Sequence, residues 1–305
     1  MYHEIARNRR KSVLVVVLFF VFWVAAGYGI GLLAGAGDVG SAIGGAIVAG
    51  ILAALAVLFA LTFGRATILA VSGAKPATRE QAPQLYDIVE TLALGDGLPT
   101  PQVYVINDPS PNAFATGLSP KSAAITVTTG LLQMMNREEL EGVLGHEMSH
   151  IKNYDVRLIL VVGTVVALAG LLASIAWRSL FYTRVGRSRD SGYGLLMLAA
   201  IAALFSIIAL IVGPIMQFAL SRSRESLADA SSVELTRNPT GLLHALQKIA
   251  SNDKPFARMT HVTAAMCIDN PLEHHDAWYH HLYDTHPPIG ERIAALQKML
   301  EVRET

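Results

Sequence analysis

The sequence predicts an α-helical membrane protein with four transmembrane helices and a mainly helical, α+β domain outside the bilayer. Its 305 residues are 52% hydrophobic and only 16% charged, whereas soluble domains carry about 25% charged residues. The mean hydropathy of +0.42 points the same way. Four apolar runs free of Lys, Arg, Asp and Glu are each long enough, at about 20 residues or more, to cross the hydrocarbon core as helices: 12–33, 42–63, 158–177 and 195–220.

The first and fourth runs each need a separate justification. A cleaved signal peptide has an apolar core of about 7–15 residues and a clear cleavage site, whereas the first run is longer and is closely followed by glycine. We therefore expect it to be a membrane anchor. The fourth run contains Pro214 and Gln217, which a membrane helix tolerates when neighbouring helices satisfy the freed polar groups.

The apolar runs divide the chain into two hairpins and a split extramembrane domain. We expect a transmembrane hairpin at 1–64, the first part of the domain at 65–157, a second hairpin at 158–220 and the second part at 221–305. In the first part, "QAPQLYDIVETLAL" is typical of an amphipathic helix. The segments "PQVYVIN" and "SAAITVTT" are typical of strands because they are rich in β-branched residues and are bounded by turn residues.

Further helices are predicted around and after these strands. Asn136, with Glu139 three residues later, resembles a capping box, so a helix should begin there and continue through Asp155. "SRSRESLADASSVELTR", "PTGLLHALQKIA" and "PPIGERIAALQKMLEVR" predict three more helices, the last two started by proline.

The segment "HEMSH" carries the main functional signal. Residues four apart lie on one face of a helix, so His146 and His150 can share one metal ion through their imidazole nitrogens. Glu147 projects differently from its neighbour and can reach the attacking water, where a general base is needed. The alternative is a solvated helical face that carries two histidines by chance. One cysteine, Cys267, allows neither an intrachain disulfide nor a cysteine-based metal site.

A catalytic zinc site needs a third protein ligand from another element. The candidates are Glu225, Asp229, Glu234 and the late histidines. Glu225 and Asp229 lie four apart, so one could bind the metal while the other accepts a hydrogen bond from a ligand histidine. The alternative is a helix start whose acidic residues favour the macrodipole.

These motifs, in this order, resemble the HtpX family of membrane-integral zinc metalloproteases, which are related to the eukaryotic CAAX prenyl endoprotease. The resemblance covers nearly the whole chain through "PNAFATG", "HEMSH", "SRSRESLADA" and "THPPIGERIAAL". It implies a zincin-like (gluzincin) catalytic domain with one Zn²⁺ bound by His146, His150 and Glu225. It further implies Glu147 as the base and Asp229 as the aspartate of the family's ExxxD turn.

The resemblance also implies a substrate-binding edge strand at 112–117, with Asn112, Ala113, Phe114 and Ala115 as its contact residues. An edge strand can hold an extended peptide by adding it to the sheet; the alternative is a surface turn followed by a core Phe. His286, just before a helix start, is a candidate for stabilising the oxyanion. We expect the other late histidines to be surface or packing residues: His261, His274, His275, His280 and His281.

Charge placement predicts the topology. The first run is preceded by four basic residues, Arg7, Arg9, Arg10 and Lys11. They predict that the protein lies in the plasma membrane with its N-terminus on the cytoplasmic side. Two crossings per hairpin then place the catalytic domain and both termini on the cytoplasmic side. The loop between the third and fourth runs disagrees, because its four arginines would face outside. The second hairpin either crosses fully, which its length favours, or dips into the bilayer.

The predicted partners are the lipid bilayer and unfolded or misfolded membrane proteins as substrates, in quality control or a stress response. The formal net charge of zero gives no electrostatic case for nucleic acid. The oligomeric state is left open. Two alternative functions are a non-catalytic membrane scaffold with a structural zinc, which would not need Glu147, and a prenyl-peptide protease, for which more membrane spans are expected.

Overall fold

A computed structural model describes residues 2–161, 174, 177–178, 203, 222–251, 267–268 and 289–304. The chain divides into two compact units. One contains Met1–Arg9, Arg65–Leu160 and Met216–Thr305, and the other contains Arg10–Gly64 and Val161–Ile215. The predicted boundaries at 64, 157 and 220 stay predictions.

The first two apolar runs form long helices, α1 (Tyr2–Ala34) and α2 (Val39–Val71). Their apolar windows, Val16–Leu33 and Val39–Val71, have mean hydropathies of 2.3 and 2.7. Small residues let the two helices approach closely. At Gly27 the space is too small for a side chain, since an added Cβ would lie 2.4 Å from the carbonyl oxygen of Gly45. These two helices are the candidate spans among the described residues. The third and fourth runs lie almost wholly outside those residues, so the prediction of four spans stays a prediction.

A four-stranded sheet with the order β1-β2-β4-β3 forms the β part of the other unit. The strands are β1 (Lys75–Pro76), β2 (Gln102–Ile106), β3 (Ala113–Thr116) and β4 (Ala124–Thr128). β2 and β4 are parallel, and the outer strands β1 and β3 pair antiparallel to their neighbours. The two predicted strands correspond to β2 and β4, and β3 lies at one edge of the sheet.

Helices complete the core of this unit. They are α3 (Pro83–Gly95), α4 (Thr129–Met134), α5 (Arg137–Lys152), α6 (Arg222–Thr236), α7 (Pro239–Ala250) and α8 (Ile289–Glu304). Apolar side chains of α3, the sheet, α5 and α7 form one buried cluster, which includes Leu85, Ile125, Leu144 and Leu242. This cluster holds α5 in the middle of the unit.

The start of α5 is as predicted, but its end is not. The Asn136 side chain accepts from the Glu139 amide at 2.9 Å, and the Glu139 carboxylate accepts from the Asn136 amide at 2.8 Å, as a capping box requires. The prediction that the helix continues through Asp155 is wrong. It ends at Lys152, because Tyr154 adopts a left-handed backbone with φ 60°. Helical backbone resumes at Asp155, and the side chain of Asp155 points back toward α5, where it contacts His150.

Candidate metal centre

His146 and His150 face each other one turn apart on α5. Their Nε2 atoms are 3.1 Å apart, and their rings lie nearly perpendicular. Both side chains are buried. Leu144 and Met148 on the opposite side of α5 are fully buried in the apolar cluster, so the packing of the helix fixes the direction of the histidine pair. The structure therefore brings the two nitrogens together as the four-residue spacing predicts.

Of the third-ligand candidates, Glu225 lies against this pair. α6 directs its carboxylate so that Oε2 is 3.4 Å from His146 Nε2 and Oε1 is 3.5 Å from His150 Nε2. The ligand atoms of the three residues all lie within 4.8 Å of one another. Glu234 is exposed near the other end of α6, and the late histidines, including His286, lie outside the described residues.

The far nitrogen of each histidine contacts a buried carboxylate. His146 Nδ1 lies 2.8 Å from Asp229 Oδ1, and His150 Nδ1 lies 3.0 Å from Asp155 Oδ2. An ionised carboxylate only accepts hydrogen bonds, so each Nδ1 donates and a neutral ring then carries its lone pair on Nε2. Two such lone pairs and a carboxylate meet at one point. A cation bound there makes this arrangement favourable, so the residues fit a metal ion.

Two buried arginines hold these carboxylates. Arg292 on α8 forms a two-point contact with Asp229, with Nε 3.0 Å from Oδ2 and Nη2 2.7 Å from Oδ1. Arg224 on α6 donates from Nη1 to Asp155 Oδ1 at 2.8 Å. The sequence analysis missed Arg224, Arg292 and Asp155. Arg224 stands directly before a candidate ligand, which was a usable signal, but the other two depend on tertiary contacts.

The formal charge of the centre matches a divalent cation. Among the described residues, four carboxylates are buried at or near the histidines, and two guanidinium groups are buried with them: Glu147, Asp155, Glu225 and Asp229 with Arg224 and Arg292. With neutral histidines, four negative and two positive charges leave a formal charge of −2. Buried uncompensated charge is costly, so this count also favours a bound dication.

The pKa shifts have the signs expected for this charge. Burial and the nearby Arg292 lower the pKa of His146, but hydrogen bonds to Asp229 and Glu225 outweigh them and raise it to about 9 in the metal-free protein. Burial raises the pKa of Asp229, and the charge of Arg292 and the contact with His146 more than reverse this, so the pKa is lowered. The pKa of Asp155 is lowered in the same way, by His150 and Arg224 against burial. A metal must therefore compete with a proton at His146.

Glu147 is almost fully buried, with 2% of its surface exposed. It follows His146 directly on α5, so its side chain projects about 100° away around the helix axis. Burial lowers the pKa of Arg292, but the charges of Asp229, Glu225 and, least of the three, Glu147 more than reverse this and raise it. The structure thus places this carboxylate in the interior of the unit, on the residue that follows His146 on α5.

The predicted substrate strand is the edge strand β3, and it is buried. Ala113, Phe114 and Ala115 are each at most 3% exposed, and Asn112 is 2% exposed. The carbonyl oxygen of Ala113 accepts from the Ile268 amide at 3.1 Å, and the Ile268 carbonyl in turn accepts from Arg292 Nη1 at 2.9 Å. One outward-facing group of the strand is therefore already paired.

Comparison with known proteins identifies the family. The model described as "Peptidase family M48" matches residues 79–300, which include every residue of the centre. The chain belongs to peptidase family M48. The expected resemblance to the HtpX proteins is confirmed by relatives that match from end to end.

Three such relatives are named "Protease HtpX homolog". The protein from Streptococcus gordonii is 41% identical over 310 residues, that from Listeria monocytogenes serotype 4a is 40% identical over 308, and that from Ligilactobacillus salivarius is 43% identical over 304. Each match covers 98% of this chain and 100% of the relative. Among solved structures, the crystal structure of S. mikatae Ste24p aligns with a TM-score of 0.48 and 20% identity, over 81% of this chain and 57% of that one.

Family membership and the two long apolar helices together make this chain a membrane-bound metalloprotease. The predicted enzyme class is confirmed. The His146–His150–Glu225 group is a candidate metal site.

Proposed function

We propose that this chain is a zinc-dependent endopeptidase of the plasma membrane, in which His146, His150 and Glu225 hold one Zn²⁺. The observation that carries the proposal is the meeting of two imidazole Nε2 atoms and a carboxylate at one buried point, with both far nitrogens bonded to carboxylates. Two histidines and a glutamate form a donor set typical of catalytic zinc. When bound, zinc supplies Lewis acidity that activates water and polarises the scissile carbonyl.

Glu147 is proposed as the general base. It takes a proton from the attacking water as the oxygen adds to the peptide carbonyl, and it then passes that proton to the leaving amine. Asp229 and Asp155 keep the Nδ1 proton on each histidine, which holds each ring in the orientation that directs Nε2 inward. His286 is proposed to stabilise the oxyanion.

β3 is proposed to bind the substrate as an added strand. Along an antiparallel strand, the backbone groups of successive residues point alternately toward the paired strand and away from it. The Asn112 carbonyl accepts from Thr128 on β4, whereas the Ala113 carbonyl accepts from Ile268 on the other side. Ala115 therefore also directs its backbone groups away from β4. An extended substrate can pair at Ala115, and it must displace the Ile268 amide to pair at Ala113 as well.

The proposed substrates are unfolded or misfolded membrane proteins, and the catalytic domain and both termini are proposed to be cytoplasmic. Two apolar helices hold the enzyme at the bilayer, which favours substrates that share the membrane. Reporter fusions at both ends test the topology: a cytoplasmic reporter should be active at each end. An active periplasmic-type or extracellular reporter at either end contradicts it.

The test of catalysis is Glu147→Gln, with Glu141→Gln as a matched control. Both residues lie on α5, but Glu141 pairs with Arg137 near the surface. Loss of a general base costs about 10²–10⁴-fold in rate, so Glu147→Gln should lose casein cleavage and keep its metal, and the control should keep both. Near-normal cleavage by Glu147→Gln would show that Glu147 is not the general base, and a wild-type protein that binds zinc without cleaving casein would support the scaffold alternative. Metal loss in that variant would instead make Glu147 a ligand.

A further inference from the structure

The two candidate ligand histidines are supported in the same way. Each Nδ1 contacts an aspartate, and the other oxygen of each aspartate contacts a buried arginine: Asp229 with Arg292, and Asp155 with Arg224. We propose that Arg224 is a positioning residue for the metal centre, which acts by fixing Asp155 and thereby His150. This inference rests on the proposed metal site.

The path of the chain explains why Asp155 needs an anchor. α5 ends at Lys152, and the left-handed Tyr154 separates Asp155 from the helix that carries His150. The helical hydrogen bonds of α5 therefore do not fix the position of the Asp155 carboxylate. Arg224 supplies a fixed point from α6, and the next residue on that helix is Glu225. One helix turn thus carries both a candidate ligand and the anchor for a second one.

Burial makes the Arg224–Asp155 pair consequential. Both residues are 2% exposed, so neither charge can be satisfied by water if its partner is removed. Within the described part of the chain, the Nε and Nη2 atoms of Arg224 have no hydrogen-bond partner. Its hydrogen bonding there is accordingly directed at Asp155. Arg292 differs, because its Nη1 also donates to the Ile268 carbonyl.

A positioning role and a pure charge role predict opposite effects on metal affinity. If Arg224 only offset negative charge, its removal would make the centre more negative and would tighten zinc binding. If it fixes Asp155, its removal loosens the carboxylate that orients His150, and zinc binding weakens. Losses of about 10–100-fold in metal affinity are typical when the support of a ligand histidine is removed.

The test is a double-mutant cycle on the zinc dissociation constant of the full-length protein in detergent. All variants carry Glu147→Gln to prevent self-cleavage, and zinc is measured by competition with a chromophoric chelator. The variants are Arg224→Met, Asp155→Asn and the double variant. Arg65→Met is the control, because Arg65 binds Ser122 and Gln102 beside the sheet. Co²⁺ absorption spectra report distortion of the ligand set independently of affinity.

We expect each single variant to weaken zinc binding about 10–100-fold and to change the Co²⁺ spectrum, with the control unchanged. The double variant should match Asp155→Asn within about threefold, because coupled residues give non-additive effects. It also removes both buried charges together. If Arg224→Met fails to fold, comparison of the double variant with Asp155→Asn still separates the two roles, because a pure charge role predicts tighter zinc binding by the double variant. Unchanged or tighter binding by Arg224→Met, or additive losses, would overturn the inference. If neither the Glu147→Gln parent nor the wild-type protein binds zinc, the proposed function itself fails.

Discussion

Gly142→Ala should loosen the packing of α5 on α7 and disturb the metal centre one turn away. A Cβ at Gly142 would lie 2.6 Å from the backbone nitrogen and 2.7 Å from the Cα of Leu242. Ordinary contact begins at 3.4 Å, so the nearest pair must separate by the difference, 0.8 Å. Backbone atoms cannot rotate aside, so one of the helices must move.

The expected cost follows from two opposing terms. Overpacking costs about 1–3 kcal/mol, and alanine regains up to about 1 kcal/mol of helix propensity. A net loss of about 1–2 kcal/mol should lower the Tm by about 2–8 °C for a unit of this size. Because metal ligands tolerate only about 0.2 Å of displacement, a shift of His146 should also weaken zinc binding.

Thermal unfolding of the metal-free protein and chelator competition measure the two effects. Gly290→Ala is the control, because a Cβ at Gly290 meets no atom of the described residues within 4 Å. Its Tm and zinc affinity should match or slightly exceed those of the wild type. A Gly142→Ala protein as stable as this control would refute the close-packing argument. A lower Tm with unchanged zinc affinity would refute the coupling from packing to the site.

Three further predictions concern the metal. Glu225→Ala should lose zinc almost completely, whereas Asp229→Ala should lose about 10–100-fold in affinity; chelator competition ranks them, and the reverse order would exchange their roles. The proton that His146 binds below a pKa of about 9 competes with zinc, so affinity should fall about tenfold per pH unit between pH 8 and 6; a flat profile contradicts this. Zinc added to protein purified in chelator should generate discrete self-cleavage fragments on gels, and an intact chain that still cleaves casein would exclude self-cleavage.

Local signals in the sequence predict much of the fold. The length and hydropathy of the first two runs predict α1 and α2, β-branched residues predict β2 and β4, and the Asn136–Glu139 pair predicts the start of α5. The end of α5 was missed because nothing local marks Tyr154 as left-handed. The third and fourth runs are long enough to span a bilayer, but they lie almost wholly outside the described residues.

Some residues of the candidate site could likewise be predicted from local sequence, and others could not. His146, Glu147 and His150 are given by one spacing on one helix, so sequence suffices. Glu225 and Asp229 were candidates because of their spacing. Only the contact between α5 and α6 shows that Glu225 lies at the Nε2 atoms of the histidines and that Asp229 lies at Nδ1 of His146. Asp155, Arg224 and Arg292 needed the tertiary structure, because their partners come from other elements.

X-ray absorption at the zinc edge of the purified wild-type protein tests the central claim most directly, when combined with metal analysis. We predict one zinc per chain, with two imidazole nitrogens at about 2.0–2.1 Å and carboxylate oxygen at a similar distance. The imidazole signal should disappear together with the bound zinc in Glu225→Ala. A wild-type protein without stoichiometric zinc, or zinc with fewer than two imidazoles, would contradict the assignment of His146, His150 and Glu225.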